Sequence, residues 1–180
     1  MVYLMLADGF EEIEALTPLD ILRRAQIEVK TIGVTGKTVT GAHSIPVVAD
    51  ILLDDIVLED MSAVILPGGM PGTLNLEKSA NVQSFIDYAV ENNLIIGAIC
   101  AAPSILGHKG ILQGKTAVCY DGFETQLFGA KIGSTAVCRD GNIITAVGAG
   151  AALQFGLELT KAFSGDAQSN KIKESMKCTQ

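Results

Sequence analysis

The sequence predicts an α/β protein in which helices cover both faces of a mostly parallel sheet. Short, continuous runs of aliphatic residues, typical of strands buried on both faces, alternate along the chain with helical segments. Hydrophobic residues make up 48% of the 180 residues but aromatic residues only 5%, so the predicted core is aliphatic. No linker-like stretch divides the chain, and we therefore expect a single domain over residues 1–180.

The first predicted elements form a strand, a helix and a second strand. Residues 2–6 are a continuous apolar run, as expected for a buried strand. Residues 11–25 begin with acidic side chains and carry apolar residues at helical spacing, which predicts a helix. Pro18 lies inside this helix and predicts a kink or a local break. The apolar run at residues 27–33 is the next strand.

The middle of the chain predicts a hairpin, a strand and a helix. Residues 36–55 combine turn residues with short alternating runs, which indicates a small antiparallel hairpin beside the main sheet. Residues 62–66 (SAVIL) form a buried strand that ends at Pro67-Gly68-Gly69. Residues 79–92 have an apolar helical face, and Ser79 is suited to cap the helix.

The second half of the chain continues the alternation of strands and helices. Residues 94–99 (LIIGAI) predict a buried strand that leads directly into Cys100. Helix-forming residues follow at 101–107, and a closing helix is predicted from about Gly148 to Phe163, before a polar and weakly helical tail. Further short strands are predicted at residues 116–118, 135–137 and 142–146.

Composition excludes several classes of function. A net charge of −7 without clusters of Lys or Arg argues against nucleic-acid binding. No apolar run is long enough to span a bilayer, and the first residues lack the positive region of a signal peptide, so a cytoplasmic protein is expected. The four cysteines lie far apart, without CxxC pairs or zinc-like histidine spacing, which predicts neither a disulfide scaffold nor a metal site.

Three loops are candidates for the functional site, because sites in such folds form at the carboxyl ends of the strands. The loops span residues 8–14, 67–72 and 99–103. Cys100 lies where an apolar strand meets a helix, a junction at which a side chain is held on a sharp turn. The positive end of that helix predicts a thiol pKa below its ordinary value. The alternative is a buried, unreactive thiol, the commonest state of a free cysteine.

The other two loops allow a functional and a purely structural interpretation. The glycines after Pro67 can present a backbone N–H to an anion, or they can simply form a turn. Glu11, Glu12 and Glu14 favour a helix N-terminus, but three carboxylates in four residues cannot all face one way. We therefore expect at least one of them to point towards the strand ends.

Together these segments resemble the DJ-1/PfpI (ThiJ) superfamily, and specifically its DJ-1-like branch. The quoted motifs are ADGFEEIEALTPLDILRRA, AVILPGG and GAICAAP, and the resemblance extends from Val2 to about Phe163. It implies a flavodoxin-like fold and a homodimer. It also implies that Cys100 is the nucleophilic, readily oxidised cysteine and that Glu14 hydrogen-bonds its sulfur.

The resemblance assigns further roles by position. It implies an anion pocket formed by the N–H groups of Gly69 and Ala101, and it places Arg24 near the dimer interface and the site. An exposed helix charge is the alternative for Arg24. The peptidase branch has a histidine where this chain has Ala101, which argues against peptidase activity.

The histidines offer no obvious general base. Residues 120–139 contain none, although some glyoxalase-active relatives use one there. His43 and His108, the chain's two histidines, are interpreted as surface or capping residues. Tyr120 and Asp121 could approach the pocket.

Two functions follow from the resemblance. The first is glyoxalase- or deglycase-type chemistry on small aldehydes or glycated substrates, converting methylglyoxal to lactate without a metal, nucleotide, glutathione or other cofactor. The alternative is an oxidative-stress sensor that works through oxidation of Cys100 without fast turnover.

Overall fold

The computed structural model describes residues 1–178, which form strands and helices in alternation. The strands are β1 Val2–Leu6, β2 Val29–Gly33, β3 Thr38–Thr40, β4 Pro46–Val48, β5 Ile51–Leu52, β6 Ala63–Leu66, β7 Ile95–Ile99, β8 Thr116–Ala117, β9 Lys131–Ile132, β10 Val137–Asp140 and β11 Ile143–Ala146. The helices are α1 Glu12–Arg24, α2 Gly72–Lys78, α3 Ala80–Glu91, α4 Pro103–His108 and α5 Ala152–Ser175.

The main sheet has the strand order β10-β11-β7-β6-β1-β2-β5. All neighbouring strands are parallel except β10 and β11, which are antiparallel. Taken in chain order, the five central strands β1, β2, β6, β7 and β11 lie in the spatial order 2-1-3-4-5. This is the flavodoxin-like order, so the predicted fold class is confirmed.

The continuous apolar runs form strands buried on both faces because alternate side chains enter different cores. In β1, Tyr3 and Met5 pack with residues of α3 and α4, whereas Leu4 and Leu6 pack with residues of α1 and α5. Helices therefore cover both faces of the sheet, as the sequence predicts. None of the described helices combines the length and the apolar character needed to cross a membrane.

Helix α1 continues through Pro18, so the predicted local break is absent. Its first turn is capped by Glu11, whose side chain accepts a hydrogen bond from the N–H of Ile13 at 3.3 Å. At Pro18 the unbroken helix packs closely against α5. Gly156 of α5 faces Pro18, and a Cβ at Gly156 would lie 3.0 Å from the Cα of Pro18. This helix–helix contact fixes the direction of α1 and thus the position of its N-terminus.

The predicted antiparallel hairpin consists of β3 and β4. It docks against the loop that follows β1 through two backbone hydrogen bonds. The N–H of Gly9 donates to the carbonyl of Thr40, and the N–H of Ala42 donates to the carbonyl of Phe10, both at 2.8 Å. The hairpin thereby covers the N-terminal end of α1.

Several elements differ from the prediction. The predicted hairpin segment, residues 36–55, also contains β5, which pairs with β2 at the edge of the main sheet and not with the hairpin. Helix α2 and strand β9 were not expected, and α4 begins at Pro103, two residues later than predicted. The closing helix reaches Ser175, with a non-helical residue at Gly165, where φ is 80°. The segment after this break is held by Ile172, an apolar residue in a polar tail, which belongs to a buried cluster with Ile21, Ala25 and Leu157.

Candidate active site

Cys100 directly follows β7 and lies at the carboxyl end of the parallel strands. Its φ of 65° is left-handed, a conformation that costs a non-glycine residue on the order of 1 kcal/mol. Two backbone hydrogen bonds hold it there. The N–H of Cys100 donates to the carbonyl of Ala146 at 2.9 Å, and its own carbonyl accepts from the N–H of Tyr120 at 2.8 Å. The sharp turn at this junction is therefore present and is held by neighbouring segments.

Glu14 lies in the first turn of α1, and its side chain is only 1% exposed. Its Oε2 accepts a hydrogen bond from the N–H of Gly68 at 2.9 Å, and its carboxylate is hydrogen-bonded to the Cys100 side chain. A Cβ at Gly68 would lie 2.6 Å from both the Cys100 Cβ and the Glu14 Oε2. Glycine at this position therefore allows the carboxylate and the cysteine to approach each other.

Two backbone N–H groups, those of Ala101 and Gly69, donate to the Cys100 sulfur. Gly69 has a φ of 88°, and a Cβ there would lie 2.4 Å from the backbone nitrogen of Glu11. This loop is also tied to the first loop, because the N–H of Glu11 donates to the carbonyl of Gly68 at 3.0 Å. Two donors converging on one sulfur can stabilise a negative charge on it or on an oxygen bonded to it.

The ionisation of Cys100 differs from the sequence prediction. Burial and the adjacent negative charge of Glu14 raise the pKa of the Cys100 thiol to about 12, whereas the sequence predicts a lowered value. The N–H groups of Ala101 and Gly69 oppose this shift without reversing it. The helix on which the prediction relied begins only at Pro103 and is six residues long, so its positive end contributes little at the sulfur.

The pKa of the Glu14 carboxyl group is also shifted. Burial raises the pKa of Glu14 from 4.5 to about 7, against the opposing hydrogen bonds from Cys100 and Gly68. Because Glu14 and Cys100 share a hydrogen bond, their titrations are coupled. Transfer of the thiol proton to the carboxylate gives a thiolate beside a neutral acid, with no change in net charge. The transfer also removes the negative charge that disfavours the thiolate.

A recess of about 390 Å³ has Tyr120, Asp121, Gly148 and Ala149 among its walls, and neither Cys100 nor Glu14 lines it. A Cβ at Gly148 would lie 3.3 Å from the Tyr120 ring and 3.9 Å from the Glu14 Oε1, so the recess approaches the carboxylate. The N–H of Ala149 also donates to this carboxylate. The volume suits a small molecule.

The structure does not bring Arg24 to Cys100 within one chain. Arg24 is ten residues beyond Glu14 on α1, a separation of about 15 Å at the helical rise of 1.5 Å per residue. Its Nε lies 2.6 Å from the Oδ2 of Asp20, and its side chain is half exposed. A role for Arg24 at a dimer interface stays a prediction.

Both histidines pair with carboxylates. The Nδ1 of His43 lies 3.1 Å from the Oε2 of Glu11 and 2.8 Å from the Oε2 of Glu12. The Nδ1 of His108 lies 2.5 Å from the Oε1 of Glu77. The carboxylates paired with His43 belong to the same acidic run as Glu14 but face the hairpin.

Sequence reasoning missed several groups that shape the site. The family resemblance selects Gly69 for its backbone N–H, although Gly68 makes the closer approach to the Cys100 Cβ and the Glu14 carboxylate. Two adjacent glycines after a buried strand are a signal for such close packing. Ala146, Ala149 and Tyr120 contribute backbone groups, for which residue type gives no signal.

The family follows from comparison with known proteins. Residues 1–162 match the model of the DJ-1/PfpI family, and this match includes the three loops that converge on Cys100. The chain belongs to the DJ-1/PfpI family, which confirms the resemblance seen in its motifs.

Individual relatives are DJ-1 proteins. The chain is 30% identical to Protein dj-1beta of Drosophila melanogaster, covering 96% of this chain and 94% of that protein. It is 32% identical to the Parkinson disease protein 7 homolog of Danio rerio, covering 94% and 92%. It is also similar to the structure of oxidized DJ-1 from Toxoplasma gondii, with a TM-score of 0.95, 32% identity and coverage of 99% and 98%.

Proposed function

We propose that this protein is a cysteine-dependent enzyme that acts on small reactive aldehydes, with methylglyoxal as the model substrate. The observation that supports this function is the hydrogen-bonded pair of Cys100 and the buried Glu14 beside a small recess. The pair contains a nucleophile and a proton carrier, the two groups that conversion of an aldehyde to a hydroxy acid needs.

The first proposed step joins the sulfur to the aldehyde. Glu14 accepts the thiol proton, and the Cys100 sulfur forms a bond to the aldehyde carbon while the carbonyl π electrons move to oxygen. In this proposal the N–H groups of Gly69 and Ala101, which favour negative charge on the sulfur, stabilise the resulting oxyanion. Glu14 then returns the proton to this oxygen, which gives a neutral hemithioacetal.

The second step moves a proton between neighbouring carbons. The Glu14 carboxylate removes the proton from the hemithioacetal carbon and delivers it to the adjacent carbon. The proton of the hemithioacetal hydroxyl passes to the neighbouring ketone oxygen, and the adduct becomes a 2-hydroxy thioester. Water then cleaves the C–S bond, releases lactate and restores the thiol. The net reaction adds one water molecule to methylglyoxal, so it requires no oxidant and no cofactor.

Lactate formation from methylglyoxal by the purified full chain tests the proposal. We expect Cys100→Ala and Glu14→Gln each to abolish turnover, and kcat/KM to rise as pH passes through about 7, because the pair then loses its first proton. Cys138→Ala is the matched control, since Cys138 is half-buried and its thiol donates to the Thr116 carbonyl. Turnover that persists in Cys100→Ala excludes this mechanism.

A second candidate function is supported by the two N–H groups at the sulfur. Peroxide would oxidise Cys100 to a sulfenic and then a sulfinic acid, releasing one water molecule at each step. The N–H groups of Gly69 and Ala101 and a protonated Glu14 would donate to the added oxygens. The similar Toxoplasma gondii DJ-1 structure is described as oxidized, which supports considering this state.

Intact mass after mild peroxide treatment distinguishes the two functions. A selective gain of two oxygens at Cys100, without aldehyde turnover, favours the redox function over the enzyme. Equal oxidation of Cys100 and Cys138 contradicts a sensor role, since no site-specific stabilisation would then operate. In both functions we propose a cytoplasmic homodimer, as the family resemblance implies.

A further inference from the structure

We propose that Glu11, Glu12 and His43 form a binding site for a divalent transition-metal ion of the Zn²⁺ type. One ligand atom from each side chain lies within 4.8 Å of the other two. An imidazole nitrogen together with carboxylate oxygens is a donor set that Zn²⁺ accepts. Spacing along the sequence does not reveal this site, because folding brings together residues 31 positions apart.

The two segments that supply the ligands are held together without an ion. The glutamates stand at the start of α1, and His43 lies in the turn between β3 and β4. Backbone hydrogen bonds from Gly9 to Thr40 and from Ala42 to Phe10 fix the hairpin against the loop before α1. The ligand positions are therefore largely preorganised.

Glu12 is oriented as a metal-binding carboxylate is expected to be. Its Oε1 accepts hydrogen bonds from the N–H groups of His43 at 2.8 Å and Ile45 at 3.4 Å, which directs Oε2 towards the imidazole. Gly41 leaves the room for this arrangement, since a Cβ there would lie 2.3 Å from the Glu12 Oε1. Hydrogen bonds of this kind orient the ligands of established metal sites.

The distances between ligand atoms are close to those that a metal ion needs. The His43 Nδ1 lies 2.8 Å from the Glu12 Oε2 and 3.1 Å from the Glu11 Oε2. Two ligands of a tetrahedral Zn²⁺ lie about 3.4 Å apart. The His43 side chain is 70% exposed, so its ring can move by the required fraction of an ångström.

The charge around these residues also favours a cation. The side chains of Glu11 and Glu12 are only 13% and 7% exposed. Over residues 1–178, no Lys or Arg forms an ion pair with either, and the His43 imidazole is their shared partner. Buried carboxylates in proteins are generally paired or bound to metal, and here the pairing is provided by a weak base.

Calorimetric titration of the metal-free full chain with Zn²⁺ tests the site. The titration uses Cys100→Ala, so that the reactive thiol does not contribute a ligand. We expect one equivalent to bind, and His43→Ala or Glu11→Gln to weaken binding at least about tenfold. His108→Ala is the matched control, because His108 pairs with the single carboxylate of Glu77 and its loss should leave the affinity unchanged.

Three outcomes overturn the proposal. These are the absence of binding at millimolar Zn²⁺, binding that stays within about twofold in His43→Ala, and equal weakening by His108→Ala. The metal site does not depend on the aldehyde chemistry of Cys100. Calorimetry and lactate formation can therefore fail independently.

Discussion

Two glutamates in the first turn of α1 have pKa values shifted in opposite directions, one on the side of the β3–β4 hairpin and one on the side of Cys100. Glu12 faces the hairpin, where burial disfavours its charge but the His43 side chain and backbone N–H groups lower its pKa below the ordinary value. Glu14 faces the elbow formed by Cys100 and its neighbours, where burial raises its pKa to about 7. Both residues are at least 95% buried, so exposure of the residue does not explain the difference.

The groups around each carboxylate explain why the two pKa values shift in opposite directions. Glu12 lies beneath an exposed imidazole, a base that favours the ionised carboxylate. Glu14 lies deeper, beside a thiol and the like charge of Glu11. One turn of helix therefore carries a carboxylate with a fixed charge, which docks the hairpin, and a carboxylate whose proton can move. Four substitutions can break or sharpen this distinction.

The largest effect is expected from adding a methyl group at the elbow. In Gly68→Ala the new Cβ would lie 2.6 Å from the Cys100 Cβ and 2.9 Å from the carbonyl oxygen of Ile99, which is backbone and cannot swing away. We expect a loss of about 3 kcal/mol in the free energy of unfolding. We also expect loss of lactate formation. Urea unfolding followed by circular dichroism measures the first effect.

The corresponding change on the hairpin side should cost less. In Gly41→Ala the Cβ meets the end of the Glu12 side chain, which can rotate, so we expect a loss of about 1 kcal/mol. Gly150→Ala is the control, since a Cβ there has no neighbour within 4 Å among the described residues. Equal losses in Gly41→Ala and Gly68→Ala would mean that the elbow is no more tightly packed than the hairpin contact.

The second effect concerns the pH dependence of stability. Because folding raises the pKa of Glu14 from 4.5 to about 7, the protonated carboxyl group stabilises the fold. This contribution is fully present below pH 4.5 and is lost as pH rises through 7. Glu14→Gln mimics the protonated form and does not titrate. Relative to the native chain, it should therefore gain about 3 kcal/mol between pH 4.5 and pH 8.

Urea unfolding at a series of pH values, in buffer with a metal chelator, measures this difference. Glu77→Gln is a suitable control because Glu77 is a partly exposed carboxylate on α2, paired with His108. A difference between the native chain and Glu14→Gln that stays constant from pH 4.5 to pH 8 would show that Glu14 titrates normally.

The sequence predicts the scaffold better than the electrostatics. Continuous apolar runs locate β1 and β7 to within one residue, since burial on both faces leaves a clear pattern. The motifs also select Cys100 and Glu14, which the structure brings together. The predicted direction of the Cys100 pKa shift was wrong, because the shift depends on burial and on a carboxylate distant in sequence. Local pattern gives no measure of either.

Other differences have equally local causes. The sequence pattern at Pro18 does not reveal that α1 packs closely on α5, where the helix remains continuous. The two-residue strand β9 is too short for a periodicity to be recognised. The contact between Glu12 and His43 depends on how the hairpin docks, and this is a tertiary property.

The smallest effect is expected when the fixed charge of the hairpin side is removed. Glu12→Gln keeps an oxygen that can accept from the N–H groups of His43 and Ile45 but loses the oxygen that faces the imidazole. In metal-free buffer at pH 7 we expect a loss of about 1 kcal/mol. Because the pKa of Glu12 is lowered on folding, this advantage of the native chain should disappear as pH falls below 4.5.

Hydrogen exchange shows where the loss of the Glu12 charge acts. The amides of β3, β4 and their connecting turn should exchange faster in Glu12→Gln, because the side chain that holds the turn to α1 is weakened. The Cys100 and Tyr120 amides should keep their exchange rates, since backbone bonds outside the hairpin hold the elbow. Faster exchange at the elbow would show that the two sides are coupled. The fixed charge of Glu12 would then contribute to positioning Glu14 beside the sulfur.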